Sequence, residues 1–152
     1  MTHPDTQNTT SAQTALLAAK EALQGGNLIA AIAQLTQAVA MDEQLAEARQ
    51  LRAQTLLNMG DADGAFADAQ WLVGHQAEAA ETKQLAAMVA QALLVRGKMH
   101  YEQGQHEQAM SCMNKALKLN PQQIDHVSGD FKAEGTEHKA KRKGSALNPF
   151  GL

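Results

Sequence analysis

The amino-acid sequence predicts an all-α protein built from repeated helical hairpins. Alanine, leucine and glutamine dominate the composition and only 3% of the residues are aromatic; alanine and unbranched side chains lose little conformational freedom in a helix. Glycines recur at the same place in three similar segments, and the second glycine follows the first after 34 residues. Apolar residues after each glycine recur at helical spacing, which predicts a buried face on each following helix.

The three segments align on Gly26, Gly60 and Gly104. The matching positions are Asn27, Asp61 and Gln105 directly after the glycines, Ala31, Ala65 and Ala109 five residues after them, and Ala38, Leu72 and Ala116 twelve residues after them. A glycine can take the left-handed conformation that ends one helix, and the polar residue after it can start the next helix. The pattern therefore predicts three hairpins in which alanine lets the two helices approach closely.

The segment NMGDADGAFADAQ has two interpretations, a calcium loop or a hairpin turn. With Gly64 at position 6 of an EF-hand loop, Met59 falls at position 1 and Gln70 at position 12, where calcium needs an oxygen ligand and a bidentate glutamate. A thioether and a neutral amide do not meet these needs. We therefore predict a turn with Asp61 and Asp63 at a helix N-terminus, where the helix dipole favours negative charge.

These hairpins resemble the tetratricopeptide repeat, a helical hairpin with a period of about 34 residues. The third unit fits best, at Gly97, Tyr101, Gly104, Ala109, Ala116 and Pro121. The second has Ala53 at the usual small position, and the first has Ala19 and Ala22 where glycine and tyrosine are usual. The resemblance implies a short right-handed solenoid domain over residues 12–121, with units at about 12–45, 46–78 and 79–121.

One helix is predicted to be elongated. Gly60 and Gly104 are 44 residues apart, ten more than the repeat needs. The surplus, at about 79–88, contains neither glycine nor proline. We therefore predict a single helix over about residues 79–103.

The two ends of the chain differ from its middle. Residues 1–11 are polar, and we expect them to be disordered. Residues 1–121 carry 8 basic and 12 acidic side chains, a net charge of −4, whereas residues 122–152 carry 5 and 4, a net charge of +1. We expect a capping segment at about 122–131 and then an irregular, flexible basic tail, with docking of its apolar end left open.

The sequence offers little for catalysis. No Gly-rich phosphate loop, nucleophile elbow or HExxH motif occurs, so we expect no enzyme and no cofactor. His100 and His106 flank Glu102, but zinc needs three or four convergent ligands, so packing histidines are favoured over a metal site. Four sulfur-containing residues of the third unit are predicted to fill the core: Met99, Met110, Cys112 and Met113. A metal-binding or enzymatic role of this unit remains as a rival hypothesis.

No charge-free stretch is long and apolar enough to cross a bilayer, and no signal peptide is visible, so we expect a soluble cytoplasmic protein. The resemblance implies protein–protein recognition: an adaptor, scaffold or co-chaperone that holds a peptide or a partner's helix in a concave groove lined by the first helices. The implied groove residues are Leu16, Lys20, Leu23 and Gln24, then Gln50, Gln54, Leu57 and Asn58, then Leu94, Lys98, Tyr101 and Glu102.

Tetratricopeptide proteins that hold the acidic tails of heat-shock chaperones use a clamp of lysine, asparagine and arginine. Leu51, Gln91 and Val95 stand at three clamp positions here, so no carboxylate clamp is expected. The alternative function is a nucleic-acid-associated protein that uses the basic tail KAKRK. We disfavour it because no aromatic residues interleave those charges. A homodimer is left open.

Overall fold

The computed structural model describes residues 4–121, with side chains from residue 10 onward. This part of the chain forms six α-helices and no strand: α1 (Pro4–Gln24), α2 (Leu28–Met41), α3 (Ala46–Asn58), α4 (Ala62–His75), α5 (Ala80–Glu102) and α6 (His106–Leu119). They follow one another as three helical hairpins. The predicted all-α helical-repeat fold is therefore confirmed, and so is the elongated helix, which is α5.

Each hairpin turns at a glycine with a positive φ, which is 78° at Gly26, 83° at Gly60 and 81° at Gly104. In the second hairpin the N–H of Asp61 donates to the Leu56 carbonyl at 2.8 Å, and the N–H of Gly60 donates to the Leu57 carbonyl at 3.0 Å. The other two turns repeat this pair of bonds. The bonds satisfy the last carbonyls of the first helix, and the backbone conformation explains the repeated glycine.

The residue after the glycine starts the second helix in two of the three hairpins. Asn27 Oδ1 accepts from the N–H of Ala30 at 3.0 Å, and Asp61 Oδ1 accepts from the N–H of Gly64 at 2.8 Å. The segment around Asp61 is thus a hairpin turn, as predicted. Gln105 makes no such cap; its Oε1 instead lies 2.5 Å from His100 Nδ1. Short side chains such as asparagine and aspartate are the preferred caps, which explains the difference.

Small residues let the paired helices approach closely. Ala31, Ala65 and Ala109, the alanines five residues after the turn glycines, are each 0% exposed. In the first hairpin the core joins three helices and consists of Ala15, Leu16 and Ala19 from α1, Leu35, Ala38 and Val39 from α2, and Ala48 from α3. The repeated alanines are thus fully buried, as close packing of the paired helices requires.

The described chain divides into two compact units, with the boundary between Ala86 and Ala87, inside α5. Unit 1 contains α1 to α4 and the first residues of α5, and unit 2 contains the rest of α5 and α6. The sequence predicted one array over residues 12–121 and did not anticipate this division. The boundary falls in the surplus segment of about 79–88, by which α5 exceeds the length that a hairpin needs.

The N-terminal helix is longer than expected. α1 begins at Pro4, whereas the sequence predicted disorder for residues 1–11, so residues 4–11 are helical. Proline is tolerated at the first helical position because an N–H there has no intrahelical partner. No glycine or second proline interrupts the chain before Gln24. The predicted capping segment and basic tail, residues 122–152, lie outside the described residues.

Candidate functional site

Exposed and half-exposed side chains of the first helices in unit 1 share one face. Lys20 of α1 pairs with Glu47 of α3, with 2.5 Å between Nζ and Oε1. Gln50 of α3 donates through Nε2 to the Glu81 carbonyl of α5 at 3.4 Å. These contacts place the polar sides of the three helices together. We name this surface the first-helix face, which comprises Leu17, Lys20, Leu23, Gln24, Glu47, Gln50, Gln54, Leu57 and Asn58.

Helix α3 contributes a straight row of polar residues to this face. Glu47, Gln50, Gln54 and Asn58 follow at three- and four-residue steps, so they lie on one side of the helix. Gln54 and Asn58 are exposed, and Gln50 is half-buried. A carboxamide both donates and accepts hydrogen bonds, so this row can pair with either kind of partner group.

The prediction that Leu16 lies in the groove is wrong. Leu16 is 2% exposed and belongs to the core of the first hairpin, whereas its neighbour Leu17 is 59% exposed. The reason is helical geometry, because a step of one residue turns the side chain through about 100°. Leu17 stands three and seven residues before Lys20 and Gln24, so it shares their side of α1. Leu17 therefore replaces Leu16 on the first-helix face.

The first-helix face carries almost no net charge. Lys20 and Glu47 neutralise each other, and the remaining members are apolar or carboxamide side chains. Leu51, at a position where chaperone-tail binders place a clamp residue, packs against the core. The face therefore offers hydrogen bonds and modest apolar area to a ligand, and no concentrated positive charge.

Unit 2 presents its own candidate surface on α5. Lys98 and Glu102 are exposed there, and the predicted residues Leu94 and Tyr101 are half-buried. The structure adds three exposed apolar residues to the predicted ones: Met88, Val95 and Met99 are 39%, 53% and 55% exposed. Their steps of seven and four residues place them in one row along α5. We name them the α5 apolar row.

The predicted core positions of the third unit need one correction. Met99 is 55% exposed rather than buried, because the helix turns its buried side, with Leu93, away from it. Cys112 is buried as predicted, and Met110 and Met113 are half-buried. The signal for an exposed Met99 was present in the sequence, since Glu102, three residues later and so on the same side of the helix, is a residue that seldom lies in a core.

A buried ion pair between α3 and α4 also escaped the sequence analysis. Asp68 of α4 is 1% exposed and accepts two hydrogen bonds of 2.6 Å from Arg52, one from Nε and one from Nη2. Arg49 Nη1 lies 3.5 Å from the same carboxylate. The hydrogen bonds to Asp68 raise the pKa of the Arg52 guanidinium above its usual value, and burial opposes them.

Aromatic rings continue this cluster along α4. The Arg49 guanidinium carbon lies 4.4 Å from the centre of the Trp71 ring, a cation–π contact. The His75 ring stacks on Trp71 with 4.1 Å between centroids, and its Nδ1 lies 2.8 Å from the Trp71 carbonyl. These side chains join the two helices of the second hairpin, so we assign them a structural role.

The described side chains give no support to a metal centre. Among them, no group of three or more histidine, cysteine, aspartate or glutamate residues could hold an ion. His106 is exposed and meets Tyr101 edge to face, with 4.8 Å between ring centroids. Within residues 4–121, no helix is both long enough and apolar enough to cross a membrane.

Part of the chain matches a known protein family. Residues 90–123 match a family model described as "Tetratricopeptide repeat". The match takes in the second part of α5 and all of α6, and it leaves out the first turns of α5. A comparison with curated proteins finds no similar chain.

Proposed function

Because the chain contains a tetratricopeptide repeat, we propose that it is a protein-interaction module: an adaptor, scaffold or co-chaperone that binds a partner on its first helices. Repeats of this family generally mediate protein–protein interaction and are typically not enzymes. The partner contributes a peptide or a helix, and it contacts the first-helix face in unit 1. In unit 2 the side of α5 that carries Lys98 and Glu102 is a candidate binding surface by itself.

The observation that carries the proposal is the row of carboxamides on the first-helix face. Gln24, Gln54 and Asn58 are exposed, and they stand on two helices joined by the Lys20–Glu47 pair. Each carboxamide matches the donor and acceptor of a peptide group, so a bound main chain can satisfy its hydrogen bonds there. The helices fix the backbone positions of the row, so a ligand that binds there has to order only the side chains.

The charge and the exposed apolar area of the candidate surfaces indicate which kind of partner segment they can bind. The paired Lys20 and Glu47 leave no free charge to attract an acidic tail, and Leu17 offers apolar contact beside them. In unit 2 the α5 apolar row offers an apolar surface of its own, and two of its three residues are methionines, which adapt to irregular shapes. We therefore expect a partner segment that is uncharged or amphipathic.

Selection from a random peptide library displayed on phage, with the full chain as bait, tests this function. The enriched peptide is synthesised and its Kd is measured by fluorescence polarisation. The double variant Q54A/N58A should raise Kd about tenfold or more, since each lost hydrogen bond is worth about 1 kcal/mol. Affinity should change little with salt because the face is nearly neutral.

The matched control is Gln70→Ala, which removes an exposed carboxamide from α4, on the second helix of the same hairpin. It should leave Kd unchanged. Failure to enrich any peptide, or equal losses for Gln70→Ala and the double variant, would contradict the proposal. If the chain instead binds nucleic acid with a steep dependence on salt, the alternative function is favoured.

A further inference from the structure

Helix α2 has an unusual surface. It carries no charged side chain in its 14 residues. Its exposed positions are Ile29, Ala33, Thr36, Gln37 and Ala40, which we name the α2 outer face. Ile29 is 75% exposed, the most exposed of the large apolar residues described. A single exposed apolar residue needs no explanation, but an entire helix face without charge does.

The other hairpins show that this position in the fold tolerates charge. Three residues after the turn glycine stands Ile29 in α2, but Asp63 in α4 and Glu107 in α6. Fourteen residues after it stands Ala40 in α2, but Lys118 in α6. An acidic residue in the first turn and a basic one in the last favour a helix through its dipole, and α2 has neither. The repeat therefore does not require the uncharged face.

The chemistry of the α2 outer face limits what can cover it. A helix that lies on a membrane carries lysine or arginine on its polar side, and a nucleic-acid surface needs the same residues. Neither occurs on α2. A strongly charged protein surface would lose hydration here without finding an opposite charge. An uncharged protein face is what remains.

We propose that the α2 outer face binds a second copy of this chain across a twofold axis. A twofold contact sets one patch against the same patch, so any charge near its centre meets its own sign. The side chains of Thr36 and Gln37 both donate and accept hydrogen bonds, and each can therefore pair with its own kind. Ala33 and Ala40 are small enough for two helices to approach closely, and Ile29 supplies apolar contact.

On the side of α1, the surface beside this face is uncharged as well, and on the side of α3 the Arg52 guanidinium, 3.5 Å from Thr36 Oγ1, is paired with the buried Asp68. A cleft of about 290 Å³ opens between α1 and α2, and it is lined by Ser11, Thr14, Ala15, Ala18, Gln34, Gln37 and Met41. Gln37 belongs to both the cleft and the α2 outer face. The uncharged surface therefore extends from α2 onto α1, which widens the area that a second copy can cover.

Sedimentation equilibrium of the full chain, from low to high micromolar protein, measures the association. The variant Ile29→Glu gives α2 the acidic first turn that the other two hairpins have, so the fold should tolerate it. We expect the dimer Kd to rise at least about tenfold, because the dimer would bury added carboxylates without a partner charge. Circular dichroism checks that the helix content is unchanged.

Ser111→Glu is the matched control, since Ser111 occupies in α6 the position of Ala33 in α2 and is also exposed. Ala33→Glu should weaken the dimer like Ile29→Glu, and Ser111→Glu should leave its Kd within about twofold, because a charge outside the contact is largely screened. A chain that is monomeric throughout would overturn the proposal. The proposal would also be overturned if Ile29→Glu left the dimer Kd unchanged, or if Ser111→Glu raised it as much as Ile29→Glu does. Peptide binding at the first-helix face is measured separately and should persist in the Ile29→Glu variant.

Discussion

The first two hairpins have the same kind of turn, but different side chains lie between their helices. Eight residues before and after the turn glycine stand Ala18 and Gln34 in the first hairpin, and Arg52 and Asp68 in the second. Ala18 and Gln34 line an open cleft. Arg52 and Asp68 form a buried ion pair, and Arg52 Nη1 also lies 3.5 Å from Thr36 Oγ1 of α2. One repeat geometry therefore accepts either an uncharged cleft or an ion pair at the same two positions.

These two hairpins show which positions the repeat constrains and which it leaves variable. The turn glycines and the fully buried alanines recur because backbone conformation and close helix approach demand them. On the side of the hairpin that carries Ala18 or Arg52, the residue type depends on which helices lie next to it. In the second hairpin this side meets α2 through the contact between Arg52 and Thr36, whereas the first hairpin has no preceding hairpin in the described chain.

The largest effect is expected where the second hairpin depends on its ion pair. Asp68→Ala removes the carboxylate and leaves Arg52 part-buried without its partner, so the free energy of unfolding should fall by about 3–5 kcal/mol. Urea unfolding, followed by the fluorescence of Trp71 in the same hairpin, measures the loss. Glu78→Ala is the control, because Glu78 forms only an exposed ion pair with Lys83. An equally small effect of both variants would show that the buried pair contributes little.

The first hairpin should instead be sensitive to its apolar core. Leu35→Ala truncates a side chain that is 0% exposed, and the lost burial and the cavity should cost about 3 kcal/mol. Ile29→Ala on the same helix truncates a 75% exposed side chain and should change unfolding at low protein concentration by less than about 0.5 kcal/mol. Similar losses for the two variants would contradict the described packing of α2.

Two glycines of the second hairpin should respond to alanine with opposite signs. Gly60 has a φ of 83°, where an L-residue is strained, so Gly60→Ala should destabilise the chain by about 1–2 kcal/mol. Gly74 lies in α4 with free space around an added Cβ, so Gly74→Ala should stabilise it by up to about 1 kcal/mol. Thermal unfolding of both variants checks this, and a stabilising Gly60→Ala would contradict the turn conformation.

The smallest effect is expected at the helix starts, where the hairpins also differ. Asn27→Ala removes an oxygen that accepts from the N–H of Ala30, so the free energy of unfolding should fall by about 1 kcal/mol. Gln105→Ala removes no cap from α6 and should cost less than half as much. Urea unfolding of the two variants in parallel distinguishes them. Equal losses would mean that the Asn27 cap adds nothing.

The sequence predicted what local physics controls. Residue spacing, helix propensity and the conformational freedom of glycine predict the helix positions, the turns at Gly60 and Gly104 and the long α5. Each of these features can be recognised within a single segment of the sequence. Predictions for single side chains were weaker. Leu16 and Leu17 are adjacent and identical in type, so only the rotation of α1 against α2 decides which one is buried.

The buried ion pair between Arg52 and Asp68 could not be predicted from the sequence for a related reason. Arg52 and Asp68 are 16 residues apart on different helices. Because arginine and aspartate are mostly exposed in proteins, each residue by itself indicates an ordinary surface charge. The position of α1's start was missed because the polar residues 4–11 show no apolar periodicity, although they contain no helix breaker after Pro4. In both cases the deciding contacts or conformations involve more of the chain than a local pattern displays.

Residue-resolved NMR of the full chain can show whether a partner binds through the first helices. Backbone amide shifts of the full chain are followed while the peptide selected from the phage library is added. We expect the largest shifts at residues 17–24 of α1 and 47–58 of α3, further shifts at 94–102 of α5, and small shifts along α2, α4 and α6. Shifts concentrated on those second helices, or confined to residues 122–152, would contradict it.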